Sequence, residues 1–317
     1  MEIYAKASLE VDEINQKVAC GCDGIEYNLM DDFIKLGKDF LNNYDEEIFR
    51  TKDIKVVHAP RCANKEMMCI DRAFLKEDIS DVENVFRLAQ YLGEYWKHRM
   101  IVVIHCMISY QDFLEYELLH NRMVRELHRL FEKYPLVDLA IENGVFMEFK
   151  LGESRYPRLY NGIYMDIPEI VRWLRKRLGS RIGSVLDVCH AKMTEKYLPA
   201  ILRETEYYDM IEKSHVDVDI DYRLEHYFEG NQGICKLIHF NELHQNGYGK
   251  NHGVGFQNQQ AVDEVLNLYK KYDYTCPITI EIREDDYLDC KNYRQTKRLV
   301  DDWMKRNILF EGELAKD

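Results

Sequence analysis

Six polar residues stand at equivalent places along the chain. His58 lies in "IKVVHA" (54–59), His105 in "MIVVIHC" (100–106), Glu142 in "VDLAIENG" (137–144), Asp187 in "IGSVLDV" (182–188), His239 in "CKLIHFN" (235–241) and Glu281 in "PITIEI" (277–282). Each comes at the end of an apolar run, where an ionised carboxylate is costly unless something pairs with it. Taken singly, each also reads as a helix cap, a salt-bridge partner or a hydrogen-bonded core histidine. The repetition over consecutive runs is what purely structural roles do not explain. Three carboxylates brought together repel one another, and a divalent cation removes that repulsion while also accepting neutral imidazole. A mixed His, Asp and Glu set suits manganese, magnesium, cobalt, iron or zinc. The lack of a recurrent cysteine argues against a closed structural zinc site. Cys106 and Cys189 sit beside candidate ligands and read as small buried hydrophobes.

The elements that would bring these residues together are legible as alternation. With "EIYAKA" (2–7), the least regular, and "GIEYNL" (24–29), there are eight β-rich runs. Several are almost continuously apolar, as strands covered on both faces should be. Between them lie stretches with helical spacing. "SDVENVFRLAQYLGEYWKH" (80–98) places Val82, Val85, Phe86, Ala89, Leu92 and Trp96 on one face, with Ser80 and Asp81 as capping candidates. Residues 110–134 read as one long helix, 167–179 as a helix with Pro168 early and Gly179 at its end, and 258–272 and 292–306 as two more. "CGCDG" (20–24) reads as a helix-to-strand turn, because Gly21 and Gly24 permit sharp backbone angles. This order predicts a single (β/α)8 barrel over 1–317, with a short acidic tail from about 308, and an open doubly wound sheet as the competitor. In a barrel the strand ends converge on the C-terminal mouth, where catalytic groups are found.

Bulk properties narrow the classes. The 317 residues include 46% hydrophobic ones, ample for a large core, and carry a formal net charge of −13. No long basic tract occurs, which weighs against a nucleic-acid groove. No apolar run reaches the length of a membrane span, and the N-terminal stretch has early acids and no signal-type segment. Nine cysteines at irregular spacings, with no C-x-x-C pair, point to free thiols in a reducing, cytoplasmic setting. No phosphate-type glycine loop is present, and the oligomeric state leaves no mark.

The series "VVHAP" (56–60), "VIHC" (103–106), "IENG" (141–144), "LDVCHA" (186–191), "IHFNE" (238–242) and "TIEI" (279–282) resembles the xylose isomerase-like TIM barrels. That superfamily holds sugar isomerases and epimerases together with AP endonucleases of the endonuclease IV type. The resemblance to its ketose epimerases implies one metal held by Glu142, Asp187, His239 and Glu281, with Glu142 and Glu281 as the catalytic pair. It implies proton abstraction next to the carbonyl of a small carbohydrate, through an enediolate that a bound Mn, Mg, Co or Zn ion stabilises, with His190 orienting the substrate. A dehydratase or lyase on the same site is a variant, and a non-catalytic barrel has no use for converging carboxylates. Those epimerases often carry an arginine a few residues after the strand-seven histidine; here Gln245 stands near that place.

The resemblance to the endonuclease IV type implies up to three ions and abasic DNA as partner. His58, His105 and Glu142 would hold one of the additional ions. His190 and His252 would serve the other. Its D-x-H aspartate is replaced by Lys250 in "GKNHGVG", and a lysine beside a cation is unfavourable. His58, His105, His190 and His252 are therefore candidates for a second metal or for substrate contacts. The sugar reading is the better supported by the acidic charge and the missing aspartate.

Overall fold

Strands that are apolar on both faces need cover on both faces, and this chain supplies it by rolling them into a cylinder. The computed structural model describes residues 1–8, 10–29, 53–60, 62–63, 66–144, 147–151, 154–158, 166–203, 222–243 and 252–314. Eight parallel strands close into a barrel: β1 (Ile3–Ala7), β2 (Gly24–Asn28), β3 (Ile54–His58), β4 (Met100–His105), β5 (Val137–Glu142), β6 (Ile182–Asp187), β7 (Cys235–Phe240) and β8 (Ile278–Ile280). All eight expected strands are present, and closure excludes the open sheet. The irregular first run is a full member, pairing with β2 through Lys6↔Glu26 and with β8 through Tyr4↔Thr279.

Helices follow the strands and shield the cylinder from outside. Ser80–Trp96 buries the face read from the sequence, including Val82, Val85, Phe86, Ala89 and Leu92. Its capping differs from expectation. Ser80 is already helical, and Asp78 accepts its N–H (3.1 Å) and its hydroxyl (2.7 Å). The expected single helix over 110–134 is two, Tyr110–Glu115 and Glu117–Lys133, broken at Tyr116. Tyr116 leaves helical geometry at that point (φ −85°, ψ 75°), while its N–H still bonds the Asp112 carbonyl at 2.9 Å. The last helix, Lys291–Leu314, runs past the point where a tail was expected. Gly179 (φ +78°) ends Asp166–Leu178, and Gly21 (φ +81°) turns the chain from Val11–Ala19 toward β2. No helix among the described residues is long and apolar enough to cross a membrane.

Because side chains alternate along a strand, the interior is layered. At the N-terminal end, Asp138 receives Lys236 (2.8 Å) and Arg99, while Asp53 receives Lys55 (2.5 Å) and His98 (2.6 Å). The middle layer is an apolar plug of Tyr4, Val56, Val103, Ala140, Val185 and Leu237. Two residues further along the same strands come Lys6, His58, His105, Glu142, Asp187 and His239. The plug therefore forms the floor of a polar mouth. Short antiparallel ribbons follow β3, β5 and β7: Cys62–Ala63 with Glu66–Met67, Met147–Leu151 with Ser154–Arg158, and Glu242–Leu243 with His252–Val254.

Gly183 on β6 tests how tightly this interior closes. A Cβ there would sit 2.7 Å from the Ile234 carbonyl oxygen and 2.5 Å from Lys236 Cγ. Gly183→Ala should cost about 1–3 kcal/mol, read as a lower urea midpoint with an unchanged far-ultraviolet spectrum. An unaltered midpoint would contradict the packing.

Candidate metal centre

The mouth is organised around two side chains, Glu142 and His239. Glu142 ends β5 with both oxygens engaged. Oε2 is 3.0 Å from His58 Nε2 and 3.3 Å from His105 Nε2, and Oε1 is 3.3 Å from His239 Nδ1 and 3.6 Å from His190 Nδ1. The same His239 Nδ1 is 2.8 Å from Glu281 Oε2 and 3.7 Å from Asp187 Oδ2. Donor atoms of Glu142, Asp187, His239 and Glu281 all lie within 4.8 Å of one another, as do those of His58, His105 and Glu142. The structure thus brings together seven of the eight expected site residues. The eighth, His252, has its backbone in the last ribbon, where the Gly253 carbonyl accepts the Arg283 N–H at 2.7 Å. The His252 side chain, Gln245 and Lys250 lie outside the described residues.

The donor set fits a divalent cation on its own hydrogen-bond logic. His58 Nδ1 is 2.7 Å from the Ala59 carbonyl, which can only accept, so the proton sits on Nδ1. In a neutral ring Nε2 then presents a bare lone pair to a carboxylate oxygen 3.0 Å away, an arrangement that calls for a positive charge between them. His190 repeats the pattern, with Nδ1 3.0 Å from the Asn143 carbonyl. Glu281 Oε2 is buried without an aligned hydrogen bond, although 2.8 Å from His239 Nδ1. Oxygen and nitrogen ligands at ~2.1 Å from one ion stand roughly 3.0–3.4 Å apart, close to most of these separations.

Asp187 shows how a structural role and a ligand role coexist. Oδ1 accepts the His190 N–H (2.8 Å), capping the first turn of Val188–Arg203, while Oδ2 faces His239. Two asparagines fix its position. Asn143 accepts the Asp187 N–H (2.6 Å) and donates to its carbonyl (3.2 Å), and Asn241 donates to Oδ2 (3.1 Å) and accepts from Cys189 N–H (3.0 Å).

Two site residues escaped the sequence reading. Glu26 on β2 is fully buried, and its Oε1 is 3.1 Å from His239 Nε2, the standard place of a carboxylate that orients a metal-bound imidazole. Lys6 on β1 is 2.7 Å from Glu281 Oε1 and 3.4 Å from Glu26 Oε1. Their signal was one of phase: Lys6 and Glu26 are single polar residues two places beyond Tyr4 and Gly24, as His58 is two beyond Val56.

Electrostatics reinforces the picture. Burial opposes ionisation of Glu142, but His105 and His239 outweigh it and hold its carboxyl well below the usual range. Burial is likewise overridden at Asp187 by His190 and His239, at Glu281 by Lys6 and His239, and at Glu26 by His239 and Lys6. Burial lowers His105 to about 4, so its ring is neutral and able to coordinate at neutral pH. Burial also works against charge on Lys6, yet Glu281, Glu26 and Glu142 keep it protonated above its ordinary value, which removes it as an amine nucleophile. The thiols of Cys106 and Cys189 are pushed well up by burial and are inert, as expected.

His239 gives this site a pH signature. Burial disfavours its charge, but Glu26, Glu281 and Glu142 raise it well above the ordinary value, so the ion-free ring is protonated at neutral pH. A cation must displace that proton. Titration calorimetry at neutral pH, in buffers of different ionisation enthalpy, should show proton release on Mn2+ binding and affinity that falls as pH falls. Glu26→Gln should weaken Mn2+ binding by about 10–100-fold. Proton-neutral binding, or a silent Glu26 substitution, would contradict this geometry.

No protein-family model matches the sequence, and no curated protein matches it. Solved structures do. A D-tagatose 3-epimerase-like protein aligns over 96% of this chain and 99% of its own, at 16% identity and TM-score 0.55. The IolI protein with a zinc atom bound aligns over 95% and 97%, at 16% identity and TM-score 0.56. Endonuclease IV from Thermus thermophilus aligns over 95% and 100%, at 13% identity and TM-score 0.52. At these identities the likeness shows the fold alone: the chain is a closed (β/α)8 barrel, as these three structures are.

Proposed function

We propose that this protein is a divalent-metal-dependent isomerase or epimerase acting on a sugar or sugar-like substrate, by removal of a proton next to a carbonyl. The observation that carries the reading is the convergence of Glu142, Asp187, His239 and Glu281 on one point above a sealed apolar floor. A Mn, Mg, Co or Zn ion bound there supplies a Lewis acid for the substrate's carbonyl and hydroxyl oxygens. Glu281 is the carboxylate best placed to take the proton: its side chain is 27% exposed, against 2% for Glu142, and both are ionised. Glu142, enclosed by His58, His105, His190 and His239, keeps its charge fixed as a ligand facing the reacting carbon, and the proton that Glu281 takes up is the one Glu281 can give back. His190, with its ring oriented by the Asn143 carbonyl, offers Nε2 for a substrate hydroxyl. The −13 net charge suits a small polyol better than a polyanion.

One observation favours a second reading. His58, His105 and Glu142 form a further three-residue set sharing Glu142 with the first, as a two-ion phosphodiesterase acting on abasic DNA requires.

The Mn2+-loaded protein in deuterated water should place solvent deuterium on the exchanging carbon of at least one member of a ketose panel. Glu281→Gln should slow that exchange by roughly 10^2–10^4-fold. Absence of exchange across the panel, with metal bound, would refute the sugar reading. Incision of abasic-site DNA that disappears in Glu142→Ala would establish the second.

A further inference from the structure

Lys6 has no part in the reaction proposed above, yet its ammonium lies inside the mouth. Nζ is 2.7 Å from Glu281 Oε1 and 3.4 Å from Glu26 Oε1. Glu26 Oε1 is 3.1 Å from His239 Nε2, and His239 Nδ1 is 2.8 Å from Glu281 Oε2. Lys6, Glu26, His239 and Glu281 therefore form a closed circuit, in which each nitrogen-bearing group stands between the same two carboxylates. The four residues come from β1, β2, β7 and the end of β8, which are neighbours around the barrel.

Two features separate Lys6 from an ordinary ion pair. Its side chain is 10% exposed, so its charge is largely desolvated. It also occupies the Glu281 oxygen that does not face the imidazole, leaving Oε2 directed at His239 Nδ1, the atom that Glu142 and Asp187 also approach. With Lys6 in place, Glu281 has one oxygen to give to an ion. Without it, both are available, and a repelling positive charge is gone.

We propose that Lys6 is a positioning residue of the metal centre: it confines Glu281 to one ligating oxygen and weakens cation binding, in exchange for a carboxylate held in a fixed orientation toward the substrate side. The inference rests on the metal-dependent reading above. Mechanistically, a carboxylate tethered by Lys6 keeps its orientation and presents a single oxygen to the ion, whereas one free to chelate through both oxygens turns toward the ion and shares more of its charge with it, which makes it a weaker base.

The test uses the full chain and Co2+ alone as probe, followed by visible absorption and by titration calorimetry. Lys6→Met should bind Co2+ at least about tenfold more tightly than wild type. Its absorption per ion should be weaker, because an added oxygen ligand raises the coordination number. Lys6→Gln, neutral but still able to donate a hydrogen bond, provides the same comparison if the methionine variant does not fold. Lys6→Arg should keep the wild-type spectrum and affinity. In Met and Gln variants solvent-deuterium exchange should fall despite the tighter binding, a split that simple loss of structure does not produce. Folded neutral variants with wild-type or weaker Co2+ affinity and an unchanged spectrum would overturn the role of Lys6. Failure of the wild-type chain to take up Co2+ would overturn the metal reading with it. Co2+ uptake without exchange on any ketose would overturn the reaction alone, while the Co2+ comparison still decides Lys6.

Discussion

Like charges at close quarters are the constraint to which the upper half of this barrel is fitted. Glu26, Glu142, Asp187 and Glu281 are carboxylates gathered at one end of a closed cylinder, three of them almost wholly removed from water. Burial alone would protonate them. Instead the charged forms are favoured by the groups around them: the His239 imidazolium at Glu142 and Glu26, His190 at Asp187 and the Lys6 ammonium at Glu281. The imidazoles of the mouth are themselves fixed from behind, His58 by the Ala59 carbonyl, His190 by the Asn143 carbonyl and His239 by Glu26. The result is a pre-organised negative site whose geometry does not wait for a ligand, which is what electrostatic catalysis asks of a protein.

The floor beneath matters as much as the walls. Tyr4, Val56, Val103, Ala140, Val185 and Leu237 fill the cylinder one layer below the charges. They keep water from reaching the carboxylates from underneath, so the field of the cluster is focused outward through the mouth. The ion pairs of Asp53 and Asp138 close the opposite end. The apolar floor and the polar mouth above it thus arise from the two-residue period of the parallel strands, while the pairs below gather at the strand starts.

What the sequence made legible follows from the same period. The eight strands could be read because an apolar run of strand length, bounded by helical spacing, has few other uses. The six strand-end residues could be read because an abrupt carboxylate or histidine breaks such a run. Lys6 and Glu26 could not, because "IYAKA" and "GIEYN" alternate like ordinary half-exposed strands, and only the pairing of β1 with β8 turns that face inward. Asn143 and Asn241 were hidden for another reason: an asparagine after a strand reads as a turn former, and its contacts to Asp187 are long-range. The Tyr116 break was overlooked since helical spacing on either side is good and no Gly or Pro marks the interruption.

Barrel closure through the pairing of β1 with β8 has a consequence in time. Lys6 and Glu26 leave the ribosome before His239 and Glu281, the groups they hold. A nascent chain that has reached β6 already exposes Glu142 and Asp187 but lacks the residues that complete the cage. Such a chain carries His58, His105, Glu142 and Asp187 without His239 and Glu281, so the four-residue cage can close on a cation only after β7 and β8 have joined the barrel.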